Sequence, residues 1–213
     1  MRRIVFLIPL LLAVTACATP GDTSMPMPTL TPLIIPTDTP VPAGTLTSAA
    51  TAAPGVAQFG DGTWQVGKDI KAGTYRTRVA SPGCYFARLS GFGGTLGEII
   101  ANENADFPWV VTIAASDKGF ESDDCGTWTA DLSAITSSRT SFDDGVYIVG
   151  TDITAGTYKS AGEAGCYWAR LSGFGDTNNQ IIANDNTDTP AIVTIAAKDK
   201  GFESKGCGTW TRQ

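Results

Sequence analysis

One ten-residue stretch occurs twice. Cys84 to Gly93 reads C-Y-F-A-R-L-S-G-F-G, and Cys166 to Gly175 reads C-Y-W-A-R-L-S-G-F-G. Each copy runs without a gap to a C-G-T-W-T ending, at Cys125 to Thr129 and Cys207 to Thr211, and 33 of the 46 aligned positions are identical. A duplication of this length makes each copy a folding unit, so the chain is expected to hold two small domains. Units of about 70 residues bury little apolar surface, and a covalent staple is common at that size.

Within each copy the residue pattern favours strands. Trp64 and Val66, like Tyr147 and Val149, alternate on one face of a short strand bounded by glycines. The stretch D-I-x-A-G-T-Y, at Asp69 to Tyr75 and Asp152 to Tyr158, places an Ala-Gly turn before a second strand. A period of two separates Tyr85, Ala87 and Leu89 from Cys84, Phe86 and Arg88, and the second copy sets Trp168 beside Arg170 in the same way. The β-branched runs from Val110 to Ala115 and from Ile192 to Ala197 suit buried central strands. With six or seven strands per copy and tight turns between them, the expected fold is all-β: two tandem small antiparallel β-sandwich or open-barrel modules following a disordered stalk.

Cys84 and Cys125 lie 41 positions apart, as do Cys166 and Cys207. Identical spacing in both copies favours one bridge within each, joining the third strand to the last, over a cross-repeat pairing that would tangle two self-contained units. Closing a loop of that size contributes about 4 kcal/mol in the chain-entropy model.

The N-terminal end has a different character. Met1-Arg2-Arg3 precedes an apolar run from Ile4 to Ala16, too short to cross a bilayer comfortably, and Val14-Thr15-Ala16-Cys17 follows from it. This resembles the lipobox of bacterial lipoproteins. The resemblance implies removal of residues 1–16, acylation of Cys17 and a location on the outer face of a membrane in the bacterial cell envelope. An ordinary signal peptide with an unmodified Cys17 is the plainer alternative. Cysteine parity agrees with the lipoprotein reading, since five thiols leave one over after two pairs. The 17–57 segment that follows alternates proline with threonine and lacks the apolar mass for a core, so it is expected to be an extended stalk. The expected boundaries are then 58–130 for module 1, 131–141 for a short mobile linker rich in Ala, Ser and Thr, and 142–213 for module 2.

Taken together, G-x-[WY]-x-V-G-x-D-I-x-A-G-T-Y, C-Y-[FW]-A-R-L-S-G-F-G and C-G-T-W are similar to a module found in many secreted bacterial proteins. That resemblance covers both repeats and implies a β-module without an assigned activity or catalytic residues. The second copy departs from the first by one residue fewer between Tyr158 and Cys166 than between Tyr75 and Cys84.

Composition narrows the chemistry. Histidine is absent, which removes Ser/His/Asp and Cys/His catalysis and imidazole-dependent zinc sites. A formal charge of -6 repels polyphosphate, so no nucleic-acid partner is expected. Phe86 with Arg88, and Trp168 with Arg170, could present a guanidinium beside an aromatic edge to a sugar or carboxylate, or simply pack the arginine stem across the ring. Phe107 and Trp109 become Thr189 and Ala191 in the second copy. They are therefore expected either as an exposed platform or as packing against repeat two. Alternating Asn102, Asn104 and Asp106, with Asn184, Asn186 and Asp188, suit Asx turns better than a calcium loop, which needs more carboxylates and a glycine. Scattered acidic pairs such as Glu103 with Asp106 and Glu121 with Asp123 read as solvated loop charges. No cofactor and no enzymatic activity are expected. The chain reads as a monomeric lipid-anchored surface protein whose modules meet a glycan or an envelope protein, with a carboxylate-dependent hydrolase as the less favoured alternative.

Overall fold

The computed structural model describes residues 57–213; Cys17, its leader and the stalk up to residue 56 lie outside the described residues. Module 1 holds β1 (Gln58–Phe59), β2 (Gly62–Gln65), β3 (Gly73–Arg76), β4 (Cys84–Leu89), β5 (Ile99–Ala105), β6 (Val110–Ile113), β7 (Gly119–Asp123) and β8 (Trp128–Thr129). Module 2 repeats them as β9 (Ser141–Phe142), β10 (Gly145–Ile148), β11 (Gly156–Ser160), β12 (Cys166–Leu171), β13 (Ile181–Thr187), β14 (Ile192–Ile195), β15 (Gly201–Lys205) and β16 (Trp210–Arg212). Each module is a sandwich of two four-stranded antiparallel sheets, ordered β1-β8-β3-β6 and β2-β7-β4-β5 in the first, β9-β16-β11-β14 and β10-β15-β12-β13 in the second. No helix of the described residues is long and apolar enough to cross a membrane.

The repeated signatures have structural work. Asp61, in the opening turn of module 1, accepts hydrogen bonds at Oδ1 from Ser122 Oγ (2.7 Å) and Cys125 N (2.9 Å), and at Oδ2 from Gly126 N (3.1 Å). Ser122 Oγ in turn accepts from Trp128 Nε1 at 2.9 Å. Asp144 accepts in the same way from Ser204 Oγ and Cys207 N of module 2, but its other oxygen takes Gly206 N, the residue before the cysteine, and Trp210 Nε1 donates to Ser204 Oγ. A carboxylate that accepts several N–H and O–H donors satisfies polar groups that the buried tryptophans would otherwise strand. Gly126 and Gly208, with φ of 75° and 66°, supply the left-handed turn that C-G-T-W needs.

The bridges are Cys84–Cys125 and Cys166–Cys207. Cys84 opens β4 and Cys125 precedes β8, so the staple joins the fourth strand to the turn before the eighth. Two short strands went unread in the sequence because β1 and β9 are two residues long, below the length at which alternation can be seen.

The linker also departs from expectation. Residues 131–141 are pinned along their length: Arg76 Nη1 donates to the Ser133 carbonyl (3.1 Å), Arg78 to Asp131, Ser133 and Ala134, Ile135 N to Asp152 Oδ1 (3.0 Å), and Arg139 to the Gly150 carbonyl. With each anchor reaching into a neighbouring module, the segment acts as a strap.

Candidate functional site

The two modules dock on one another. Arg76 and Asp152, both without solvent exposure, form a bidentate pair across the junction at 3.1 Å for each bond. Val146 N donates to the Pro108 carbonyl (3.1 Å), and Thr112 N donates to the Phe174 carbonyl (2.6 Å), so the open edge of β6 is capped by module 2. Val146, Ala169 and Leu171 of module 2 belong to the same apolar cluster as Trp109, Val110 and Val111 of module 1.

Beside this contact lies a cavity of about 400 Å³, lined by Asn102, Glu103 and Trp109 from module 1 and by Tyr167, Phe174, Asp176, Asn178, Gln180, Glu203 and Lys205 from module 2. Its polar groups converge on a half-enclosed space, the arrangement expected of a binding cleft. Glu203 is 9% exposed, and no hydrogen bond reaches its carboxylate among the described residues. Lys205 Nζ approaches Glu103 Oε1 at 3.3 Å across the junction, an exposed pair that contributes little energy but fixes charge at the rim. Asp176 adopts φ of 55° at the turn where module 1 has Gly94; an aspartate tolerates this left-handed conformation better than most residues.

The acidic groups disturb one another. Burial, then the charges of Asp176 and Glu103, push the Glu203 carboxyl up to about 7. Burial, then Glu103, pushes Asp176 up to about 6, with Arg88 opposing. Both carboxyls therefore hold protons in the folded chain at pH values where the unfolded chain has released them, and stability falls as pH rises from about 4 to about 7. We expect Tm to drop by roughly 5 °C between pH 5 and pH 8. Glu203→Gln should remove most of that drop; a Tm that stays flat or rises over this window in the parent chain would refute the assignment.

The sequence candidates divide. Phe86 is fully buried between Phe120 and Trp128, with ring centroids at 5.9 and 5.3 Å, so it offers no edge to a ligand. Trp109 is 3% exposed and stacks on half-buried Phe107 at 5.5 Å. The exposed platform gives way to the other reading of this pair, packing at the junction with repeat two. Arg88 and Arg170 direct their guanidinium groups to carboxylates of their own modules. Arg88 makes a buried bidentate pair with Asp117 (2.8 and 2.9 Å) and donates to the Gly175 carbonyl of module 2, while Arg170 pairs with Asp199 (2.7 and 3.1 Å). Trp168 is half-buried in its own module's core, with its Nε1 buried and without a partner among the described residues. Asp106 and Asp188 accept from Gly83 N and Gly165 N, closing turns.

Sequence reasoning named Glu103 but paired it with Asp106; the fold brings it instead to Asp176 and Glu203. It missed Asp176 and Glu203 altogether. A usable signal was present, because seven of the 13 positions at which the aligned copies differ correspond to residues lining this cleft.

Such a chain is a pair of disulfide-stapled β-sandwiches enclosing a polar cleft. It belongs to the Rv1352-like extracellular domain family, whose model matches twice, at residues 56–129 and 139–211. It is similar to uncharacterized protein Rv1352 of Mycobacterium tuberculosis (strain ATCC 25618 / H37Rv) and to uncharacterized protein Mb1387 of Mycobacterium bovis (strain ATCC BAA-935 / AF2122/97). Each is 29% identical over 83 residues, covering 32% of this chain and 68% of the relative. No solved structure matches the chain.

Proposed function

We propose that this protein is a non-catalytic binding protein of the cell envelope, anchored through lipid on Cys17, whose ligand seat is the cleft between the modules and whose ligand is a hydroxyl-rich polymer such as a cell-wall or extracellular glycan. The observation that carries the reading is the cleft itself. It combines a buried, unbonded Glu203 carboxylate with the side-chain amides of Asn102, Asn178 and Gln180 and the rings of Tyr167 and Phe174. Saccharide hydroxyls both donate and accept, so they suit carboxylate and amide partners, while ring faces cover the apolar C–H face of a sugar. The anchor rests on the lipobox resemblance, and a Cys17→Ala chain that still incorporates labelled fatty acid would sink it.

The test is a binding screen of the full chain, displayed on vesicles, against glycans and cell-wall polymers. Binding that Glu203→Gln and Tyr167→Ala weaken supports the cleft as the seat. Failure of every saccharide to bind sinks the glycan reading and favours the accessory protein-interaction role. A carboxylate-dependent hydrolase is the second reading, favoured because the raised Asp176 and Glu203 could share protonated and ionised roles near neutral pH. It predicts shortened polymer chains after incubation, which simple binding does not produce.

A further inference from the structure

The junction between the modules is head-to-tail: two nearly identical units use different faces, so each leaves one face unused. Module 2 contributes Asp152, Val146 and the Phe174 turn; module 1 contributes Arg76 and the outer edge of β6. By internal alignment, Asp69, Thr63 and Phe92 stand on module 1 where Asp152, Val146 and Phe174 stand on module 2. Lys159, Ile192 and Thr194 stand on module 2 where Arg76, Val110 and Thr112 stand on module 1.

Both unused faces carry the marks of uncovered contact surface. Val110 is 1% exposed, but its counterpart Ile192 is 67% exposed. On module 1, Phe92 is 53% and Leu96 87% exposed around a hollow of about 210 Å³, formed at the same positions as module 2's wall of the cleft. The charges correspond as well, with Asp69 and Lys159 both at the surface where Asp152 and Arg76 are paired and buried. Finally, β14 is the terminal strand of its sheet, and an open edge is a template for further backbone pairing.

We propose that the unused face of module 1 receives the β14 edge of a second copy of this chain, with Lys159 of one copy facing Asp69 of the next, in repetition of the junction inside each chain. Because the two faces differ, the contact is heterologous and extends into rows rather than closing as a symmetric pair. This replaces the monomer expected from sequence and does not depend on the glycan reading.

The test uses full-length chains carrying Cys17→Ser, which leaves the introduced cysteines as the free thiols, cross-linked in solution with a short bifunctional maleimide. Chains bearing D69C mixed with chains bearing K159C should give dimers, each variant alone should not, and the D69C/K159C chain should give a ladder of higher species. Adding Leu96→Glu to the doubly substituted chain should abolish the ladder while leaving the thermal melt in place, since Leu96 makes little contact within its own module. No dimer from the mixture would overturn the proposal, as would equal dimer yields from either variant alone, which would signify a symmetric contact or random collision.

Discussion

Asp152→Ala is expected to lower the free energy of unfolding by about 4 kcal/mol, the cost of leaving a buried charge without its partner. Asp152 accepts from Arg76 Nη1 and Nη2, from Ile135 N and from Ile148 N, so one carboxylate joins module 1, the strap and module 2. Its removal strands a guanidinium with no exposure, whose Nε already lacks a partner among the described residues, together with two backbone donors. Arg76→Met should cost less, because Asp152 keeps both backbone donors. Urea unfolding of the two variants measures the ordering, and limited proteolysis reports whether residues 131–141 become cleavable. An Asp152→Ala chain within about 1 kcal/mol of the parent, or one more stable than Arg76→Met, would refute the account of the junction.

Removing one bridge should have a comparable effect. Cys84→Ser with Cys125→Ser frees a loop with a sequence separation of 41 in the unfolded chain, worth about 4 kcal/mol by loop entropy. The loss falls on module 1 first. Because module 2 packs into the same apolar cluster, its transition should shift with it. Guanidinium unfolding with each bridge removed in turn tests this coupling: two well-separated transitions, only one of them moved, would show that the modules unfold independently. Reduction of the parent under native conditions should be slow, since the four bridged cysteines are buried.

What could be read from sequence was what each copy does for itself. Alternation around Cys84 to Leu89, the paired cysteines and the turn glycines act locally or recur at fixed spacing, so duplication exposed them. The Arg88–Asp117 and Arg170–Asp199 pairs also recur, each at a separation of 29, but no periodicity links an arginine on a strand to an aspartate in a distant loop. The docking of the modules was the least legible. Asp69 and Asp152 serve one local purpose, accepting from Gln65 N and Ile148 N respectively, and only tertiary contact makes the second a buried ion-pair partner. The Phe107-Pro108-Trp109 stretch left two readings open because a residue difference between sister copies can mark a junction as readily as an outward-facing ligand surface. Here it marks the junction, and of the carboxylates gathered there the sequence singles out Glu103 alone, as a solvated charge, because its neighbours Asp176 and Glu203 belong to the other copy.

The pairing of β1 with β8 also has a mechanical consequence. The chain enters module 1 through a two-rung ladder, Gln58 opposite Thr129 and Phe59 opposite Trp128, with the Ala57 carbonyl accepting from Ala130 N just beyond it. A pull applied at residue 57 against an anchored module 2 loads these rungs one at a time, so they peel at low force. Before tension could reach Cys84 it would have to strip β2 from β7 and β3 from between β6 and β8, with the buried Arg76–Asp152 pair; beyond Cys84 the bridge to Cys125 transmits tension directly and shields the intervening strands from being drawn out. Module 1 would thus give a short extension as the β1 rungs open and then stiffen at β2 and β3, with the sulfur bond as the final stop.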